Sequence, residues 1–172
     1  FDARFKALCR LEPRLVAHLH GLSPSQAVIR WLPVQSIVTS HEMDAVVRYA
    51  PHGLPHALIL HIEFQSAADA RMPQRMLLYW QVLLGYCDAA DRIHQLVLRV
   101  RRTAAMPSVL RLVPSARSEL LVPVRALNDY SAGTLLELAT AAANAVPLAA
   151  ALVPGARNGA SPSAIAASLR IL

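Results

Sequence analysis

At 172 residues the chain makes one ordinary domain, or one domain and a tail, and is long enough to bury a real core. Its longest apolar stretch, Leu135 to Val153, is broken by Glu137, Asn144 and Pro147, which argues against a membrane span, and its two cysteines, Cys9 and Cys87, stand in no Cys-x-x-Cys or Cys/His spacing that would suggest zinc. The net charge of +6 is carried by arginine and one lysine, Lys6; arginine is the better bidentate partner for phosphate, so the balance fits nucleic acid, and the cysteine usage fits a reduced, cytoplasmic setting.

Phe1 is not an initiator methionine, so the sequence reads as a trimmed or partial chain, and its first residues carry no signal-peptide pattern. Phe5, Leu8, Leu11, Leu15 and Leu19 recur at helical spacing, and Pro13 predicts two short helices or a kinked one before Gly21. Asp2 and Lys6 stand four apart on one helical face, the arrangement of a surface ion pair. Ser23 and Pro24 predict a short further helix to about Arg30, and Trp31 to Ser40, holding one proline, reads as an edge strand or the approach to one.

Residues 41–66 form the most informative stretch. Leu58, Leu60, Ile62 and Phe64 alternate with Ile59, His61, Glu63 and Gln65, the period-2 pattern of a strand with one dry face and one face that turns polar at its end. His52, Gly53, Leu54 and Pro55 punctuate a hairpin turn, and a turn centred between Gly53 and Leu54 pairs residues whose numbers sum to about 107. Asp44 then falls opposite Glu63, with Cβ atoms roughly 5 Å apart. Like charges at that distance call for a compensator, and a divalent cation held by two carboxylates, waters and phosphate oxygens would serve. Gln65 points the same way, and Glu42 falls opposite it.

After the hairpin, Asp69 is placed to cap a helix whose apolar positions run from Met72 through Met76, Trp80 and Leu84 to an end near Asp88; Pro73 is tolerable in its first turn. Trp80 reads as core. His94 to Val100 is the next strand, so strand, helix and strand fall within about thirty-five residues, the signature of a parallel βαβ unit. The segment from Arg101 to Ser118, with Pro107 and Pro114, gives no clear assignment, and its arginines read as a solvated edge. Glu119 to Arg125 is a last strand, which Pro123 assigns to an edge, and Ser131 caps a helix through Leu135 and Leu138. Residues 1–153 make the domain, and residues 154–172, rich in Gly, Ala, Ser and Pro, read as a flexible low-complexity tail.

The pieces FDARFK, MDAVVRY, LHIEFQSAADARMPQRMLLYW, HQLVLRV and, more loosely, LVPVRALNDYSAGTLLEL and AVPLAAL resemble the PD-(D/E)XK nuclease superfamily, in particular its recombination-promoting nuclease/putative transposase branch. The resemblance implies an α/β, restriction-endonuclease-like αβββαβ core, with a central mixed sheet flanked by helices, and Mg²⁺-dependent cleavage of DNA, with Mn²⁺ as the alternative ion. It puts Asp44 and Glu63 at the metal-binding positions and Gln65 where lysine is usual; Met43 stands where the namesake motif has proline. A glutamine can orient water but cannot supply a full positive charge. Arg75 and Lys6 are the candidate contacts to DNA phosphate.

The same residues have plainer readings. Asp44 and Glu63 could pair with Arg48, Arg75 or Lys6; Arg75 could equally neutralise Glu63; His61 is better read as a packed histidine than as a ligand; and Glu42 as a solvated strand end. Three alternatives therefore stand: an active endonuclease, a catalytically weak descendant that binds DNA or a protein, and a truncated product whose tail is foreign to the domain. Oligomeric state is open, with a homodimer the simplest way to present one site to each strand of a duplex.

Overall fold

The structure is a computed structural model in which residues 2–34, 43–99, 103, 106–115 and 118–130 are described. Pro13 divides the first helical stretch as its chemistry requires, giving α1 (Asp2–Leu11) and α2 (Arg14–Leu19). Glu12, buried between them, accepts two side-chain hydrogen bonds from Arg14, at 2.6 Å from Nε and 2.5 Å from Nη2. Gly21, at φ +77°, turns the chain.

The expected short helix to Arg30 does not form. Pro24–Gln26 make one 3₁₀ turn and the chain then enters β1 (Ala27–Trp31), an edge strand with an alternating half-buried pattern. The β-branched residues Val28 and Ile29 and the pairing with β2 outweigh the weak start signal. Of the expected strand from Trp31 to Ser40, residues 32–34 are not in a strand, and residues 35–40 lie outside the described ones.

β2 (Ala45–Pro51) and β3 (Leu58–Gln65) form the hairpin, paired from Ala45↔Ile62 to Tyr49↔Leu58, the register the turn predicts. Gly53 supplies the left-handed residue, at φ +76°. One expectation changes: β3 has two buried faces. Leu60, Ile62 and Phe64 pack against α1 and α2, while Ile59 packs under α3 with Val46, Met76 and Tyr79. His61 and Glu63 lie on this second face and are buried with it. The alternation in sequence therefore separates two interiors.

α3 (Met72–Leu84) buries Met72, Met76, Tyr79 and Leu83, and Pro73 sits in its first turn, where its missing N–H costs nothing. Asp69 does not cap it. Arg71 occupies the cap position without a side-chain bond, and Asp69 shapes the preceding turn, its Oδ1 accepting from Arg71 N–H at 2.9 Å. The helix stops at Leu84 rather than near Asp88, and its last turn loosens through Gly85 and Tyr86. Trp80 is half-buried and belongs to neither core cluster; Tyr79, one residue earlier, takes the buried position.

β4 (Arg92–Arg99) pairs with β3 in parallel, completing the βαβ unit. The unassigned segment contains β5 (Val109–Ser115), which closes a hairpin with β6 (Ser118–Ala126). The sheet order is β1-β2-β3-β4-β6-β5, so the chain is α/β with a mixed six-stranded sheet, and β5 rather than β6 forms the edge. Pro123 is accommodated inside the sheet because the parallel ladder to β4 begins only at Val124, whose own N–H bonds Ser108 O across the hairpin at 2.9 Å. The expected helix from Ser131 and the expected tail lie outside the described residues. Among the described residues no helix is long and apolar enough to cross a membrane.

Candidate functional site

β2 runs antiparallel to β3, and β4 runs parallel to it, so the start of β2 and the ends of β3 and β4 meet at one end of the sheet. An open depression of about 420 Å³ lies there, lined among others by Lys6, Asp44, Glu63, Gln65, Asp69 and Arg75. All five residues singled out in the sequence line this one feature.

Asp44 stands immediately before the ladder and ties it to β3: its Oδ2 accepts the Phe64 N–H at 2.8 Å. Its Oδ1 lies 3.7 Å from Lys6 Nζ, so α1 delivers a cation to the end of β2. The expected Asp2–Lys6 pair involves a side chain outside the described ones; Lys6 reaches across to Asp44. Glu42 is likewise outside the described residues.

Glu63 is only 2% exposed. A carboxylate so buried requires a counter-charge, and α3 supplies it: Arg75 Nη2 contacts Oε1, and Arg75 Nη1 reaches Asp69 Oδ2 at 3.0 Å. Arg75 therefore clamps two carboxylates, and the plainer reading of it, neutralising Glu63, is realised. Arg48 pairs elsewhere, with Asp88 and Asp91 at 3.0 and 3.1 Å.

Behind Glu63 is a buried polar row that the sequence reading did not assemble. Gln95 Nε2 donates to Met76 O at 3.0 Å and lies 3.2 Å from His61 Nδ1. An amide nitrogen can only donate, so His61 Nδ1 is the acceptor and the ring proton sits on Nε2, which faces Glu63 Oε2 at 3.7 Å. Tyr79 stacks edge-on against the ring, with centroids 5.4 Å apart. Burial lowers the His61 pKa to about 4, against the pull of Asp44, so the imidazole is neutral at pH 7. His61 is thus a packed histidine, as its neighbours on the strand suggested. Tyr79 and Gln95 had no local signature; a period-2 reading of β4 would place Gln95 inside, but only its partner identifies its role.

Several polar atoms here are buried without a hydrogen-bond partner among the described residues: His61 Nε2, Glu63 Oε2, Gln65 Nε2, Arg75 Nε, Tyr79 Oη and Arg99 Nε. Such atoms are uncommon in folded proteins. For a divalent cation the donors fit: two carboxylates open on the same depression, and Glu63 Oε2 is an oxygen with no donor. Among the described residues no three His, Cys, Asp or Glu side chains gather around one point. Mg²⁺ needs no such set, since one or two carboxylates with waters and phosphate oxygens suffice.

A second depression, of about 430 Å³, lies at the start of β4 between Trp80, Cys87, Asp91 and Arg92. Its one deeply buried acid, Asp91, is already engaged by the Ala57 and Asp88 N–H groups and by Arg48. No family model, no curated protein and no solved structure matches the chain.

Proposed function

We propose that the chain is a Mg²⁺-dependent DNA endonuclease of the PD-(D/E)XK type, hydrolysing phosphodiester bonds at the depression formed by the ends of β2 and β3, in the setting of recombination or mobile elements. The observation that carries this reading is the convergence of Asp44 and Glu63, with Gln65 between strand end and solvent and Lys6 and Arg75 alongside, in one open depression. Asp44 and Glu63 would hold the ion, with Mn²⁺ as the alternative. When bound, it would polarise a phosphoryl oxygen and lower the pKa of a coordinated water.

The chain's own residues supply the rest. Glu63 is held in one orientation by Arg75, and Asp44 by the Phe64 N–H, so both carboxylates are oriented by groups on neighbouring elements. Lys6 and Arg75, the two cations that line the depression, are the candidate contacts to the DNA backbone. Gln65 can orient an attacking water by hydrogen bonding.

A second reading has its own support. Both acids already carry cationic partners, so the site is charge-balanced without a metal, as a DNA- or protein-binding descendant of a nuclease would be. One experiment separates the two: supercoiled plasmid incubated with the protein in Mg²⁺ or EDTA, beside Asp44→Ala and Glu63→Ala. The first reading expects Mg²⁺-dependent nicking that both substitutions lower by at least about 100-fold. Nicking unchanged in both variants would sink the site assignment. Absence of nicking together with salt-sensitive DNA binding establishes the second reading.

A further inference from the structure

Arg75 joins two acids of unequal depth. Its Nη2 contacts Oε1 of Glu63, whose side chain is 2% exposed, and its Nη1 lies 3.0 Å from Oδ2 of Asp69, whose side chain is 27% exposed. All three residues line the depression that also holds Asp44 and Lys6, whose Oδ1 and Nζ are 3.7 Å apart. The buried carboxylate is therefore reached from the depression, and the arginine that covers it is anchored nearer the surface.

Charge decides what else the depression accepts. Its described lining carries three carboxylates, Asp44, Glu63 and Asp69, against two cations, Lys6 and Arg75, which leaves one net negative charge. A phosphodiester entering alone doubles that charge. A divalent ion entering alone reverses it and sets a second cation against Arg75 at Glu63. With the ion and one phosphodiester together the charges cancel. At about 4 Å a pair of unit charges shifts an equilibrium about fivefold even in bulk water, and a partly buried site amplifies this. A buried carboxylate left bare is costly, so Arg75 can leave Glu63 only as another cation arrives. Its destination is at hand: Asp69 keeps Nη1, and the fork of nitrogens that grips a carboxylate grips phosphate equally well.

We infer that Arg75 is a displaceable counter-cation, which neutralises Glu63 when no ion is bound and gives that carboxylate up for a backbone phosphate when DNA and a divalent ion enter together. The inference rests on the reading of the depression as a phosphodiester-hydrolysing centre and assigns its regulation. Ion and DNA then bind cooperatively, each weakly alone.

Two binding measurements on the full chain test this. The first is Mn²⁺ affinity without DNA, by equilibrium dialysis. Arg75→Gln should bind Mn²⁺ at least about tenfold more tightly than the unsubstituted chain, because a neutral side chain no longer competes for Glu63. An arginine that merely holds Glu63 in place predicts the opposite, so an affinity unchanged or weakened overturns the inference. The second is DNA affinity, from the anisotropy of a short labelled duplex in EDTA and in Mg²⁺ at matched ionic strength. The unsubstituted chain should bind at least about tenfold more tightly in Mg²⁺, and reciprocity requires DNA to tighten the ion by the same factor. That gain should shrink in Arg75→Gln; a gain that Arg75→Gln keeps in full, or no gain in the unsubstituted chain, overturns the exchange. If Arg75→Gln lacks a cooperative melt, Arg75→Lys carries the comparison, since one ammonium shared between two carboxylates should also release Mn²⁺ binding. Cleavage separates this inference from the reading beneath it. Arg75-dependent coupling of ion and DNA in a chain that never nicks plasmid keeps the exchange and refutes the nuclease, whereas Mg²⁺-dependent nicking with a Mn²⁺ affinity insensitive to Arg75 keeps the nuclease and refutes the exchange.

Discussion

Arg75→Met isolates what holds Glu63 in the core. The substitution keeps the unbranched stem and removes the guanidinium, which touches Oε1 and lies over the Tyr79 ring. Glu63 would then be a carboxylate 2% exposed with no cation in contact, His61 Nε2 lying 3.7 Å from Oε2. Breaking a buried pair from one side costs roughly 3–5 kcal/mol. The Arg75 side chain is 32% exposed, so water screens part of that, and a loss of about 3 kcal/mol is expected. In a chain of 150–250 residues this lowers Tm by about 6–12 °C. On the proposed reading the loss should be smaller in Mg²⁺ than in EDTA, because an ion held by Asp44 and Glu63 would replace the missing charge and would stabilise the folded state in proportion to ln(1 + [Mg²⁺]/Kd). Urea melts in EDTA and in Mg²⁺, with Glu63→Gln and the double variant closing a cycle, measure both quantities. A loss below about 1 kcal/mol in EDTA would refute the buried-pair account, and an equal loss with and without Mg²⁺ would refute compensation by the ion.

At Asp44, Asn keeps an acceptor for the Phe64 N–H whereas Ala does not, so Asp44→Ala should be less stable than Asp44→Asn by about 1 kcal/mol in urea melts, while both lose any Mg²⁺-dependent shift. Two desolvated histidines, His61 buried and His20 half-buried, make stability fall in mild acid. Burial lowers His61 to about 4 and His20, also repelled by His94 and His61, to about 3, both from an ordinary 6.5. The unfolded chain therefore binds protons first: the contribution is fully present above pH 6.5 and is lost as pH falls toward the folded values, by about 2 kcal/mol per histidine between pH 7 and 5. Denaturant melts across that range should show the slope, and His61→Gln should flatten it; an unchanged slope contradicts the burial argument. In the hairpin turn, Gly53→Ala meets no atom within 4 Å yet must hold φ +76°, so a loss of about 1 kcal/mol should come from backbone strain alone, and an Asn there should lose less.

By itself the sequence determined the features that depend on neighbours along the chain. Gly53 and the prolines around it make a turn of fixed geometry, and that turn alone places Ala45 against Ile62 and brings Asp44 to the level of Glu63. Pro13 divides α1 from α2, and the strand–helix–strand spacing implies the parallel pairing of β3 with β4, by equally local means. Tertiary structure decided whatever depended on distant partners. The run from Pro24 to Arg30 becomes a strand because β2 offers it a ladder, and Pro123 enters the sheet because β4 pairs only beyond it. The polar face of β3 is buried because α3 covers it, and that burial converts His61 into a neutral packing residue and Arg75 into a clamp on two carboxylates. Gln65 lies beside Arg99 through a parallel register that no turn fixes. An antiparallel hairpin carries its register in its own loop, whereas a parallel pair takes its register from the packing of the helix between the strands. The acids of the site were therefore legible in one dimension, and the groups that neutralise, orient and complete them were not.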